Sequence, residues 1–162
     1  MKKITFMLAI IALLSGCGTV AGDRQTGEGR NWVRVARIID GDTFEIISKG
    51  KGKSERVRLI GVDTPETVKP ESKVQPFGPE ASSFTKKMIE GKMVRLEFDV
   101  QERDKYGRLL AYAYLEDGTL LNSRLLEEGL ASVMTVPPNV RMADTFLAIQ
   151  KKTQKQKKGI WQ

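Results

Sequence analysis

Three runs of alternating apolar and polar residues follow one another between positions 32 and 62, with only short turns between them. WVRVARIID at 32–40 alternates as a half-buried strand does, Asp40-Gly41-Asp42 offers a turn, and TFEIIS at 43–48 reads as the returning strand. KGKGKSE at 49–55 is a polar, glycine-containing loop, and RVRLIGV at 56–62 is a third strand. Strands joined this closely form a meander, so the chain must build its core around an antiparallel sheet.

The rest adds helices to that sheet. Residues 64–79 hold four prolines and no periodicity, which predicts a loop. Ala81, Phe84 and Met88 recur at helical spacing within 81–91, with Gly91 as a stop. MVRLEFDV at 93–100 and LLAYAYLE at 109–116 are the fourth and fifth strands, on either side of a turn at 102–108. Leu121, Leu125 and Leu126 mark a short helix over 120–129, and Met142, Phe146 and Ile149 mark a last helix over 141–158. The end of that helix, KKTQKQKKG, carries no apolar stripe and reads as a solvated charged face. Five strands and three helices fit an α+β chain built on a small OB-type Greek-key barrel, a class that offers a face to oligonucleotides. An α+β sandwich has the same ingredients.

The amino end is an address. Lys2 and Lys3 precede an apolar run from Ile4 to Leu14, too short for a permanent membrane span and suited to a signal peptide over 1–16. Leu14-Ser15-Gly16-Cys17 resembles the lipobox of bacterial lipoproteins, which implies lipidation of Cys17. Residues 18–30 contain four glycines and little that is apolar, so 17–30 form a lipidated cysteine and flexible tether, and the folded domain spans 31–162. Loss of 1–16 leaves 25 basic against 20 acidic residues, so the excess of positive charge survives processing. Such an excess favours polyanionic partners.

The chain has one cysteine and no histidine. That excludes an intramolecular disulfide framework and argues against a structural zinc site, leaving hard cations held by oxygen. Asp42 at the first turn and Asp63 after the third strand fall at one edge of the meander, where they can converge on Ca²⁺. Pro65 stiffens the backbone between Asp63 and Glu66. Arg58, close to Asp63, and Arg108, after DKYG, can bind phosphate through two-pronged guanidinium contacts. Two metal-binding acids, two arginines and a spare acid form an inventory for phosphodiester cleavage, with Glu66 activating or positioning the water.

IDGDT at 39–43, RLIGVDTPET at 58–67, FGPEASSFTKKM at 77–88, DKYGRLLAY at 104–112, EEGLA at 127–131 and the final IW together resemble the thermonuclease family of staphylococcal-type nucleases. The resemblance runs in family order over 32–162. It implies an OB barrel with three helices and a Ca²⁺-dependent endonuclease acting on DNA and RNA, with single strands favoured. Products would carry 3′-phosphates. It assigns Asp42, Asp63 and the Thr64 carbonyl to the metal, and Arg58, Glu66 and Arg108 to catalysis. Lys105 and Tyr106 would contact a terminal phosphate. Together with the lipobox it implies a monomer tethered to the outer face of a membrane. One departure concerns the two tyrosines that flank the base in the family type; here TVPPN puts Thr135 and Pro137 or Pro138 in their place. The loop at 49–55 is also longer. The alternative is a non-catalytic OB module that grips single strands. Such modules usually lose metal ligands or arginines, whereas all five acids and arginines are present here.

Overall fold

The computed structural model describes residues 32–47, 54–67 and 75–162. The signal peptide, Cys17, the tether and most of the 49–55 loop lie outside these described residues. Strands β1 (Trp32–Asp40), β2 (Thr43–Ile47), β3 (Ser54–Leu59), β5 (Met93–Glu97) and β6 (Leu109–Tyr114) close a barrel in the order β1-β2-β3-β6-β5. Every pairing is antiparallel except β3 with β6, which run parallel, with Arg58 opposite Leu110. This is the OB-type α+β architecture with three helices, α1 (Gly78–Ile89), α2 (Leu121–Glu127) and α3 (Ala143–Lys155).

Alternation decides what enters the barrel. Phe44 and Ile46 from β2, Val57 and Leu59 from β3, Val94 and Leu96 from β5 and Ala111 and Ala113 from β6 are all buried. Their strand neighbours Glu45, Arg56 and Arg58 stand on the opposite face, as the two-residue strand period requires. Leu121, Leu125 and Leu126 of α2 and Phe146 of α3 close the core, with Phe146 edge-on to Tyr112 at 6.1 Å between ring centres.

The third strand differs from the sequence expectation. RVRLIGV is not continuous: β3 stops at Leu59, the chain bends at Ile60, and β4 (Gly61–Asp63) leaves the barrel to pair with β7 (Ser132–Met134). Gly61 has φ +77, and a Cβ there would fall 2.7 Å from the Phe146 ring, so both conformation and space demand glycine. The buried Asn122 side chain bridges the break. Its Nδ2 donates to the Ile60 carbonyl at 2.8 Å and its Oδ1 accepts from the Ala113 N–H at 3.1 Å. β7 was not expected from the sequence, and β5 ends at Glu97, short of Val100. α3 stops at Lys155, and a 3₁₀ turn (Gly159–Trp161) follows. The charged tail is also not wholly solvated, because Thr153 is buried.

Candidate active site

Arg58 leaves the outer face of β3 and is itself buried. Its Nη2 donates to Asp63 Oδ1 at 2.7 Å, and its Nη1 meets Asp42 Oδ2 as an ion pair without hydrogen-bond alignment. The guanidinium therefore joins two carboxylates that lie 21 residues apart in the chain. Asp42 comes from the β1–β2 turn and Asp63 from the end of β4. Convergence through the meander was the expectation, and the strand break delivers it: β4 turns away from the barrel and brings Asp63 back past Arg58.

Asp42 is held on every side. Its Oδ1 accepts from Thr43 Oγ1 at 2.9 Å, and its Oδ2 accepts from the Thr64 N–H at 2.8 Å and from Thr64 Oγ1 at 3.1 Å. Burial pushes its carboxyl up from the usual range, against the pull of Arg58 and the Thr64 N–H. Asp63 is about half exposed, so the pair offers one enclosed acid and one open one.

The loop carrying Thr64 and Glu66 is pinned from below by Asp40, a residue to which the sequence assigned no role in the site. Asp40 Oδ1 accepts from the Gly41 N–H at 2.8 Å, Thr67 Oγ1 at 2.9 Å and Ser82 Oγ at 3.0 Å, tying the end of β1 to the loop and to α1. Gln75 closes the loop from above, accepting from the Glu66 N–H and donating to the Glu66 carbonyl, both at 3.1 Å.

Arg108 arrives from the DKYGR turn. Asp104 Oδ2 accepts from Arg108 Nε at 2.6 Å, while Asp104 Oδ1 accepts from the Tyr106 and Arg108 N–H groups at 2.9 and 3.0 Å. An aspartate opening a turn, with glycine three residues on, is the signal that could have marked Asp104.

Arg58, Asp63, Glu66 and Arg108 line one open cavity of about 910 Å³. Asp42 and Thr64 are not among its lining residues, and Asp42 is joined to it by Arg58. Arg58, Arg108 and Tyr106 also border a second, more apolar cavity of about 340 Å³, which Lys105 lines too. Tyr106 is largely exposed, with Lys105 Nζ 5.1 Å and the Arg108 guanidinium 5.6 Å from its ring centre. The opposite wall of the apolar cavity is Met134, Val136 and Pro137; Thr135 is not part of it. Of the positions named from TVPPN, Pro137 thus borders the cavity as expected and Thr135 does not.

Comparison with known proteins fits this geometry. The family model described as staphylococcal nuclease homologue matches residues 56–162. The chain belongs to the staphylococcal nuclease family. A thermonuclease of Staphylococcus intermedius is 45% identical over 171 residues, covering 100% of this chain and 99% of that protein. A thermonuclease of Staphylococcus hyicus is 42% identical, covering 99% of each. An endonuclease of Bacillus subtilis is 46% identical over 131 residues, covering 80% of this chain and 61% of that protein. Arg58, Asp63, Glu66, Lys105, Tyr106 and Arg108 all fall inside the span matched by the family model.

Proposed function

We propose that this protein is a calcium-dependent nuclease that hydrolyses DNA and RNA between phosphorus and the 5′ oxygen, as a monomer tethered to the outer face of a membrane by lipid on Cys17. The observation that carries the chemistry is the placement of Arg58, Asp63, Glu66 and Arg108 around one open cavity, with Asp42 behind Arg58.

The donor set suits a hard cation. Asp42 and Asp63 converge on one positive charge, Arg58, and both offer oxygen, the donor that Ca²⁺ with its roughly six to eight ligands requires. No three acids cluster closely enough to hold a metal alone among the described residues, so waters would complete such a set. Asp42, Asp63 and the Thr64 carbonyl would hold the ion, which when bound supplies positive charge to the phosphoryl oxygens.

The chain's own groups supply the rest. Arg58 and Arg108 present fixed guanidinium donors to the phosphoryl oxygens as charge builds on them. Glu66 takes a proton from the attacking water as its oxygen bonds to phosphorus. The bond to the 5′ oxygen breaks, leaving a 5′-hydroxyl, protonated from solvent, and a 3′-phosphate. Lys105 and Tyr106 border the same cavity system and suit a terminal phosphate.

The test is cleavage of single-stranded DNA by the full chain in Ca²⁺ and in excess chelator, beside Glu66→Gln. Calcium-dependent cutting that collapses in Glu66→Gln is the expected result. Tight binding without cutting under every metal tried would replace the enzyme with a binding module.

A further inference from the structure

The cavity that holds Arg58 and Arg108 is lined by two more arginines, Arg56 and Arg103, which the chemistry above does not use. Arg56 stands two residues before Arg58 on the same face of β3, about 6.7 Å along the strand. That step is of the order of the distance between neighbouring phosphates in an extended strand. From Arg56 a row of charges crosses the sheet. Arg56 lies opposite Glu45 of β2, and Glu45 lies opposite Arg37 of β1.

The two arginines of this row are held differently. Arg37 grips Glu45 with two parallel bonds, Nε to Oε2 at 2.8 Å and Nη2 to Oε1 at 2.9 Å. Arg56 reaches Glu45 only at 3.5 Å through Nε, and its side chain is 62% exposed. Glu45 is thus largely engaged by Arg37, and among the described residues the exposed Arg56 has no other ion pair. Arg103 is anchored by Glu55 at 2.7 Å and by the Gly107 carbonyl at 2.9 Å, so it braces the wall of the cavity.

We infer that Arg56 binds the phosphate adjacent to the scissile one, and that a single strand leaving the active site crosses β3, β2 and β1 with Arg56 as its cationic contact, its grip limited by Glu45, which is paired with Arg37. The ligand is a phosphodiester backbone, read without reference to base. The inference rests on the reading of the cavity as a nucleic-acid site. Charge complementarity and continuity with that cavity favour the substrate strand over an anionic membrane surface.

The experiment is equilibrium binding of the full chain to fluorescent oligothymidylates in excess chelator, across a range of salt. One probe is a dinucleotide, and the other is long enough to cross three strands. For the long probe, Arg56→Ala should weaken binding several-fold and make the salt slope shallower by about 0.7, one single-strand phosphate contact. The dinucleotide should bind as before. Glu45→Gln, which frees both arginines, should tighten the long probe. An unchanged slope in Arg56→Ala, equal losses for both probes, or an effect seen only with anionic lipid vesicles would overturn the inference. Binding is read without cleavage, so a chain that binds as described but never cuts would sink the enzymatic reading alone.

Discussion

Arg108 Nε lies 2.6 Å from Asp104 Oδ2, four residues earlier on the same turn. This contact aims one of the two guanidinium groups, Arg58 and Arg108, that line the open cavity. It also leaves a titration signature. Burial alone would raise the Asp104 carboxyl, but the Arg108 side chain and the Arg108 and Tyr106 N–H groups outweigh that and hold it below the ordinary value. A depressed folded pKa stabilises the fold above the ordinary carboxylate range, and that contribution fades as pH falls through the folded value. Asp104→Asn should therefore cost about 1–3 kcal/mol at neutral pH, and the gap from the native chain should narrow in acid. Urea unfolding at several pH values measures it; a gap independent of pH would assign the loss to packing.

Arg58→Lys tests the bridge. One ammonium lacks the planar fork that reaches Asp42 and Asp63 together. Turnover of single-stranded DNA should fall about 10²–10³-fold, the cost of losing one fixed transition-state donor, while circular dichroism stays native. Turnover within a few-fold of the native chain would mean that Arg108 carries the charge alone.

Asn122 lines neither cavity but bonds the strand break that precedes Asp63. Replacing it with leucine strands the Ile60 carbonyl and the Ala113 N–H, at about 1–3 kcal/mol for each group left unsatisfied. Stability and turnover should fall together. Lost stability with native turnover would show that β4 holds its course by its pairing with β7.

Cys17→Ser should release the protein into the medium with its intrinsic turnover unchanged. Cell fractionation decides the point. A variant that stays on the membrane after cleavage of residues 1–16 would remove the lipid anchor from the reading.

The barrel was legible because inward residues such as Phe44, Val57 and Leu96 alternate with charged neighbours. The candidate acids and Arg108 stood out because they stand at strand ends and turns, where few residue types are imposed by packing, whereas Arg58 lies within β3 and stood out only beside Asp63. The break at Ile60 was not. LIGV is apolar throughout, and the two reasons for glycine, a φ of +77 and the Phe146 ring 85 residues further on, emerge only in the fold. β7 escaped notice because its three residues gain a strand's geometry from β4, not from their own pattern. The start of α1 was masked by prolines, although Pro79 is well tolerated in a first helical turn. Asp40 looked like one more turn residue because its partners Thr67 and Ser82 come from two later elements.

The bend at Gly61 also bears on when the site becomes complete. Asp63 is not carried by the barrel but by a strap whose second strand is residues 132–134 and whose glycine is covered by a ring from α3. A chain emerging amino end first will have laid down Asp42, Arg58, Asp63 and Glu66 long before the frame that orients them exists. A chain that ends before residue 146 thus carries the residues of the candidate site without the partners that hold the strap.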